Sequence, residues 1–121
     1  MSLRSDILIA ATMAALALSA GQASAHAKLV SSDPAANATV APPKAIHLTF
    51  NEKLAPTFSS FELAMADGLK SPVKTSLSAD RKTINGRPKA PLGAGVYKLT
   101  WHAAAADDGH RMDGAITFTV K

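Results

Sequence analysis

Short segments in which apolar and polar residues alternate constrain the fold of this chain most strongly. Ile46, Leu48 and Phe50 would share one face of an extended segment, and His47 and Thr49 would lie on the other. The same period recurs in three later segments, with apolar residues at Phe61, Leu63 and Met65, at Tyr97, Leu99 and Trp101, and at Ile116, Phe118 and Val120. A period of two is typical of half-buried β-strands. We therefore predict four strands that share one core, with contributions from Phe50, Phe61, Leu63, Tyr97, Leu99, Trp101, Ile116 and Phe118.

Three shorter strands and frequent turns complete the prediction. The candidate strands are residues 28–31, 73–77 and 82–84, and turn-forming clusters such as DPAANA, APP, PLGAG and DDG separate the segments. No long amphipathic helix is predicted, and the alanines at 103–106 are expected to follow strand or loop context. About seven short strands with regular breakers indicate an all-β fold, a Greek-key β-barrel or sandwich.

The amino-terminal segment is predicted to be a signal peptide. Arg4 precedes an apolar run at 7–20 that is short for a membrane span, and Ala23 and Ala25 provide the A-x-A pattern of signal peptidase sites. Cleavage after Ala25 would export the protein, to the periplasm in a bacterium. The alternative, an uncleaved anchor, would need a longer apolar run with basic flanks. Residues 1–25 are thus the predicted signal peptide and residues 26–121 the predicted single domain.

Composition excludes several classes of site. The chain contains no cysteine, so disulfides, zinc–thiolate sites, iron–sulfur clusters and blue-copper centres are excluded. The formal net charge is +4, but the lysines are spaced singly along the sequence without interleaved aromatic residues. This spacing favours a solvated basic surface over nucleic-acid binding.

Two of the four histidines occupy positions that packing explains poorly. After cleavage His26 would offer an α-amine and an imidazole nitrogen from one residue, which is a chelate that only an amino-terminal histidine can form in this way. Asp108 and His110 are separated by Gly109, so their side chains would lie on the same side of an extended segment. Three nitrogens and one oxygen suit tetragonal Cu(II). The alternative is that Asp108-Gly109 is an ordinary hairpin turn followed by a solvated histidine, with an accidental histidine at the mature start.

The segments HAKLVSSDPAANATV, AIHLTFNEKL and GVYKLTWHAAAADDGHRMDGAITFTV resemble the CopC family of periplasmic copper-binding proteins over the whole predicted domain. The resemblance implies a cupredoxin-like or immunoglobulin-like β fold. It also implies one Cu(II) per mature monomer, bound by His26, Asp108 and His110. Glu52, in the segment FNEKL, corresponds to a family glutamate near the copper, which would make it an outer or weak axial contact. The alternative is that Glu52 is an ordinary strand-end carboxylate. The implied function is a monomeric carrier in copper resistance or homeostasis that passes metal to a CopD-like inner-membrane copper transport protein.

The chain departs from the family pattern at two points. The family commonly places the aspartate six residues after the tryptophan, whereas Asp108 lies seven after Trp101, which leaves Asp107 as the alternative carboxylate. We prefer Asp108 because the D-x-H spacing is local and the preceding loop can bulge. Some members bind Cu(I) through a methionine-rich loop, but the corresponding stretch LAMADGLKSPVK holds only Met65. Because Cu(I) sites need several soft ligands, we predict that this site is absent.

The remaining candidate residues have simpler interpretations. Met65 is in register with Phe61 and Leu63 and is predicted to lie in the core, and Met112 is expected at the surface or rim. His47 and His102 are interpreted as solvent-facing strand histidines that could still provide weak metal contacts.

Two further classes of function stay open at this point. An amino-terminal histidine chelate is also found in copper monooxygenases, so a copper-dependent oxidase or monooxygenase is the alternative to a carrier without catalysis. In this chain, however, Asp108 would occupy the coordination position at which such an enzyme binds oxygen. The domain also has few aromatic residues for a flat substrate face. A plain adhesive or scaffolding module is the third class, and it predicts no tight metal binding.

Overall fold

A computed structural model describes residues 27–121 of the chain, and this part is built from β-strands. The predicted signal peptide and His26 lie outside the described residues. The strands are β1 Leu29–Asp33, β2 Thr39–Val40, β3 Ile46–Phe50, β4 Ser60–Met65, β5 Lys70–Ser71, β6 Val73–Leu77, β7 Thr83–Pro88, β8 Gly95–Ala104 and β9 Arg111–Val120. One turn of 3-10 helix, Pro56–Phe58, joins β3 to β4. No helix in this stretch has the length and apolar character needed to cross a bilayer.

The strands form two sheets that pack face to face. One sheet has the order β1-β3-β7-β6 and the other has the order β2-β9-β8-β4-β5. All neighbouring strands are antiparallel except β2 and β9, which are parallel. The predicted all-β fold is therefore confirmed as a sandwich and not as a closed barrel. All seven predicted strands are present, and the two-residue strands β2 and β5 were not predicted.

The core lies between the two sheets and contains the predicted residues. Seven of them are buried, namely Phe50, Phe61, Leu63, Tyr97, Leu99, Trp101 and Phe118, and Ile116 is partly buried against them. Phe50 and Trp101 meet edge to face at 5.1 Å between ring centroids, which joins the two sheets. Tyr97 stacks on Phe118 at 5.7 Å within the larger sheet. These aromatic pairs add directional contacts to the burial of apolar area.

Glycines make room for two of the large rings. Gly114 lies opposite Trp101 in the β8–β9 register, and a Cβ at Gly114 would overlap the indole ring. A Cβ at Gly86 would likewise overlap the ring of Phe61, which belongs to the other sheet. Absence of a side chain at these two positions lets each ring lie directly over the neighbouring backbone.

The methionines and the alanine run have definite places in the sandwich. Met65 is partly buried against the core, as predicted. Met112 is also partly buried against the core, so it is more enclosed than the surface or rim position expected for it. The reason is that Met112 faces inward on β9, opposite Ala103. Ala103 and Ala104 continue strand β8, and Ala105 forms an isolated bridge with Leu54.

The strand register defines two ends of the molecule. One end, called the hairpin end, carries the connections at 51–59, 78–82 and 105–110. The opposite end, called the far end, carries the connections at 41–45, 66–69 and 89–94. Strands β8 and β9 connect the two ends, with Ala104 opposite Arg111 at the hairpin end and Gly95 opposite Val120 at the far end. Ten residues of strand span about 33 Å.

Candidate metal centre

The predicted D-x-H ligands lie in the loop of the β8–β9 hairpin. Two backbone hydrogen bonds close this loop, from the N–H of Ala105 to the carbonyl of His110 at 3.0 Å and from the N–H of Gly109 to the carbonyl of Ala105 at 3.0 Å. Gly109 has φ +70°, in the left-handed region that favours glycine. The local geometry is thus a tight turn rather than the extended segment that the spacing of Asp108 and His110 suggested.

Asp108 and His110 are connected directly within this turn. The backbone N–H of His110 donates a hydrogen bond to Oδ1 of Asp108 at 2.9 Å. This arrangement, a side-chain oxygen bonded to an N–H two residues later, is one that aspartate commonly forms in turns. Both residues are exposed. The turn therefore presents an oriented carboxylate and an imidazole-bearing residue together at the surface.

The loop after strand β3 holds the hairpin loop in place. The N–H of Ala106 donates to the carbonyl of Lys53 at 2.9 Å, and the N–H of Ala55 donates to the carbonyl of Ala104 at 2.8 Å. Leu54, between these two bonds, is fully buried. Alanine side chains at 103–105 are small enough for the loop to approach the hairpin this closely, and all three are buried. Both sides of the hairpin base are thereby fixed to residues 53–55.

The same loop also fixes the first described residues. The N–H of Lys28 donates to Oδ1 of Asn51 at 2.6 Å, and the N–H of Asn51 donates to the carbonyl of Lys28 at 3.1 Å. Ala27 is buried as part of the core. Residues 51–55 consequently attach both the first described residues and the hairpin loop, two regions about 80 residues apart in the sequence.

Glu52 and Asp107 lie in the same region. Glu52 is partly buried in the loop after β3, and Asp107 is exposed in the hairpin turn. Among residues 27–121, no group of three or more histidine, aspartate and glutamate side chains is arranged so that it could hold a metal ion.

His47 and His102 lie apart from the hairpin turn, on the outer faces of the two sheets. Nδ1 of His47 lies 2.7 Å from Oδ1 of Asn85, and Nδ1 of His102 lies 2.6 Å from Oδ1 of Asp113. Both histidines are exposed, which confirms their interpretation as solvent-facing strand residues. Their partners are cross-strand neighbours in the register. The sequence did not predict these pairs, because alternation alone does not fix the register between two strands.

The surface beside His102 is a depression of about 260 Å³ that Phe58, Ala103, Arg111 and Asp113 also line. The guanidinium of Arg111 lies 4.2 Å from the centroid of the Phe58 ring. This cation–π contact packs the 3-10 turn against the start of β9. Arg111 therefore supports the loop that borders the hairpin turn.

Comparison with known proteins gives a consistent result. The CopC domain family matches residues 29–121. The chain is 40% identical to Copper resistance protein C of Xanthomonas campestris pv. juglandis, over 96% of each chain. It is 41% identical to Copper resistance protein C of Escherichia coli, over 82% of this chain and 84% of that one.

Solved structures agree with the sequence relatives. The crystal structure of PcoC from Escherichia coli, described as a methionine rich copper resistance protein, superposes with a TM-score of 0.74 at 38% identity. That superposition covers 80% of this chain and 100% of PcoC. The crystal structure of CopC from Methylosinus trichosporium has a TM-score of 0.73 at 28% identity, covering 79% of this chain and 94% of that one.

Proposed function

The chain belongs to the CopC family, and from this premise we propose that it binds one Cu(II) ion per mature monomer through His26, Asp108 and His110. In this role it is a carrier in copper resistance or homeostasis. The observation that carries the proposal is the attachment of the domain start and of the hairpin turn to one loop, residues 51–55. The names of the relatives, which are copper resistance proteins, support copper as the metal.

The ligand set follows from adjacency along the backbone. Ala27 is buried beside the loop that binds Lys28, and the residue before it is one peptide unit away, about 3.8 Å between Cα atoms. His26 is that residue. Its amine and imidazole, with the Asp108 carboxylate and the His110 imidazole, make the nitrogen and oxygen set that Cu(II) prefers. Glu52, which is partly buried in the same loop, is the candidate for an additional weak contact.

Copper loading would depend on processing of the precursor. An α-amine has an ordinary pKa of about 7.7–8, so Cu(II) can displace its proton near neutral pH. In the precursor that nitrogen is part of the peptide bond between Ala25 and His26, and an amide is a far poorer ligand. Removal of residues 1–25 would therefore create the chelate, and the mature protein would acquire copper in the periplasm.

Exposure of the hairpin turn suits a carrier that must release its metal. Asp108 and His110 lie at the surface, where a second protein could replace them as ligands one at a time. The recipient we propose is a CopD-like inner-membrane copper transport protein, and the carrier is proposed to act as a monomer without catalysis. In this function copper is the cargo, so its release matters as much as its binding.

The experiment compares two forms of the protein that differ by one residue. Cu(II) affinity is measured by competition with a chelator of known strength, for the protein that starts at His26 and for the same protein with one alanine added before it. We expect the added residue to weaken binding by more than about tenfold, the factor that 1.4 kcal/mol represents. Stoichiometry is expected to remain one Cu(II) for the unextended form.

Three results would contradict the proposal. Equal affinities would exclude the amine as a ligand and would leave the side chains alone to hold the copper. Turnover of ascorbate and oxygen by the loaded protein, well above that of free copper, would favour the oxidase or monooxygenase. Absence of any tight Cu(II) site would favour the scaffolding module.

A further inference from the structure

Cationic side chains that are scattered along the sequence come together at the far end of the sandwich. Lys44 lies in the connection before β3, and Lys70 lies in β5. Lys74 and Arg87 are on β6 and β7 near that end, and Lys89 directly follows β7. We call these five residues the basic end. All five are exposed. The one acidic side chain in the far-end connections is Asp67, which accepts a hydrogen bond from the N–H of Leu69.

The basic end also has an acidic neighbour, Glu62, which lines the same depression as Lys70 without forming an ion pair with it. None of the five side chains forms an ion pair with a residue of 27–121. Lys74 and Arg87 are direct cross-strand neighbours on the outer face of their sheet. Like charges in such positions destabilise a sheet. An anionic surface outside the molecule would remove this repulsion.

Two large apolar side chains are also exposed near this end, on the side of the larger sheet. Leu69 is 64% exposed and Val96 is 47% exposed, although both are large aliphatic residues. Their backbones lie close together, because the N–H of Met65 donates to the carbonyl of Leu69 and the N–H of Ala66 donates to the carbonyl of Val96. A shallow depression of about 280 Å³ that Lys44 and Lys89 border is also lined by four prolines. The far end thus combines cations with apolar surface.

We propose that the basic end is a docking surface for a bilayer that contains anionic phospholipids. Five cations spread over separate loops and strands suit an extended charged plane better than one compact acidic ligand. Leu69 and Val96 supply the apolar contacts that interfacial proteins place among the headgroups. Docked in this way, the molecule holds its hairpin end about 33 Å from the membrane surface, the length of strand β8. Copper binding and membrane docking would then use opposite ends of one domain.

Residues 26–121 are the suitable unit for the test. All described core residues lie within this stretch, and the solved relative PcoC is fully covered by a matching length of this chain. Using this unit also removes the apolar run at 7–20, which would bind lipid by itself. The probe is a set of sedimentable vesicles made of phosphatidylcholine alone or of phosphatidylcholine with phosphatidylglycerol.

The informative variant is Lys74→Glu with Arg87→Glu. It retains a like-charge pair across the strands, so the balance of charge within the sheet is preserved while the surface charge is reversed. The matched control is Lys53→Glu with Lys82→Glu, which changes the net charge equally at exposed positions of the hairpin end. Leu69→Asn tests the apolar contribution separately.

We expect binding to the anionic vesicles that weakens as salt is raised, and little binding to the neutral ones. One cationic side chain near such a surface raises the partition coefficient about fivefold. Because the far-end variant removes two of them, its partition coefficient should fall by at least about 25-fold. The hairpin-end control should retain most of the binding, and Leu69→Asn should weaken it without changing its salt dependence. Copper is absent from the assay, so its outcome is independent of the Cu(II) titration.

Three results would overturn the proposal. Equal binding to neutral and anionic vesicles would remove the role of the charges. An equal loss in the two double variants would show that net charge, and not this surface, is responsible. No binding to either vesicle would exclude the bilayer and leave an acidic protein as the partner to be sought at this end.

Discussion

Lys28 and Asn51 are joined by two hydrogen bonds, one from the Lys28 N–H to the Asn51 side chain at 2.6 Å and one between their backbones at 3.1 Å. The side-chain bond is the shorter of the two, and it fixes the chain two residues after His26. Two residues beyond Asn51, the carbonyl of Lys53 accepts the N–H of Ala106 in the hairpin turn. Asn51 therefore joins the first described residues to the loop that also holds the D-x-H turn.

The first prediction concerns Asn51→Ala. Loss of its side-chain hydrogen bond should lower the free energy of unfolding by about 1 kcal/mol. Cu(II) affinity should fall by about tenfold, an effect typical of residues that orient metal ligands without touching the metal. Chemical denaturation and chelator competition measure the two quantities.

Asn85→Ala is the matched control for this prediction, because Asn85 makes a similar exposed side-chain bond to His47 on the outer face of the smaller sheet. It should change Cu(II) affinity little. A copper affinity that is equal in the two variants would show that Asn51 does not position the domain start for metal binding.

The second prediction concerns the contact between Gly114 and Trp101. In Gly114→Ala the new methyl group would overlap an indole ring that is 7% exposed and packed edge to face against Phe50. Because that ring has little room to move, we expect a loss of about 2–3 kcal/mol in the free energy of unfolding. Gly93→Ala is the control, since a Cβ there meets no atom within 4 Å. Similar losses in the two variants, measured by denaturation, would contradict this explanation.

Alternation predicted the fold well because burial on one face of a strand has a direct signature in the sequence. Strand β3 was predicted with its observed range, and the predicted cores of β4, β8 and β9 lie within the observed strands. Strands β2 and β5 were missed because two residues are too short to show a period. Their pairing depends on neighbouring strands that are distant in the sequence.

The site was harder to predict from the sequence than the fold. The D-x-H spacing identified Asp108 and His110 as candidates, but the turn that holds them depends on the left-handed conformation of Gly109 and on backbone hydrogen bonds to residues 53–55. The grouping of cationic residues at the far end could not be predicted either. These residues are spaced singly along the chain, and only the strand register brings them to one end. Long-range proximity of this kind has no local sequence signal.

The third prediction is a pH effect at Asp80. A hydrogen bond from the Ser78 hydroxyl at 2.6 Å and another from the Lys82 N–H lower the pKa of the Asp80 carboxyl below its ordinary value of 3.8. Because the folded pKa is lower than the unfolded one, this stabilisation is present above pH 3.8 and is lost as the pH falls through the folded value.

Ser78→Ala should therefore raise the pKa of Asp80 toward its ordinary value, which a carboxyl titration by NMR would show. Ser76→Ala, at an exposed position of β6, is the control and should leave the Asp80 titration unchanged. An unchanged titration in Ser78→Ala would show that the Lys82 N–H alone holds the carboxylate.

The fourth prediction is that Met65 has a packing role and no metal role. Met65 is partly buried against the core, and its Cε lies close to Gly95. Met65→Leu preserves the volume and should cost less than about 1.5 kcal/mol in the free energy of unfolding. Cu(I) affinity, measured against a chromogenic Cu(I) chelator, should be as weak in Met65→Leu as in the parent. The Cu(I) affinity of Met112→Leu should be equally weak. A tight Cu(I) site that disappears in Met65→Leu would show that one thioether is part of a soft-ligand site here.

The last prediction separates the two roles of Asp108. Its Oδ1 accepts the N–H of His110 within the hairpin turn, and its carboxylate is the proposed ligand to copper. Asp108→Asn retains an oxygen that can accept this hydrogen bond but replaces the anionic ligand with a neutral amide. The variant should therefore keep the stability of the parent and lose Cu(II) affinity, whereas Asp108→Ala should lose affinity together with about 1 kcal/mol of stability.

Asp107→Asn is the control, because Asp107 is exposed one residue earlier in the same turn and the change removes the same charge. It should weaken Cu(II) binding only slightly, through the loss of a nearby negative charge. Chelator competition on the processed protein measures all three affinities, and denaturation measures the stabilities. If Asp107→Asn lost the copper and Asp108→Asn retained it, Asp107 would be the carboxylate ligand. Asp108 would then serve only to shape the turn that carries His110.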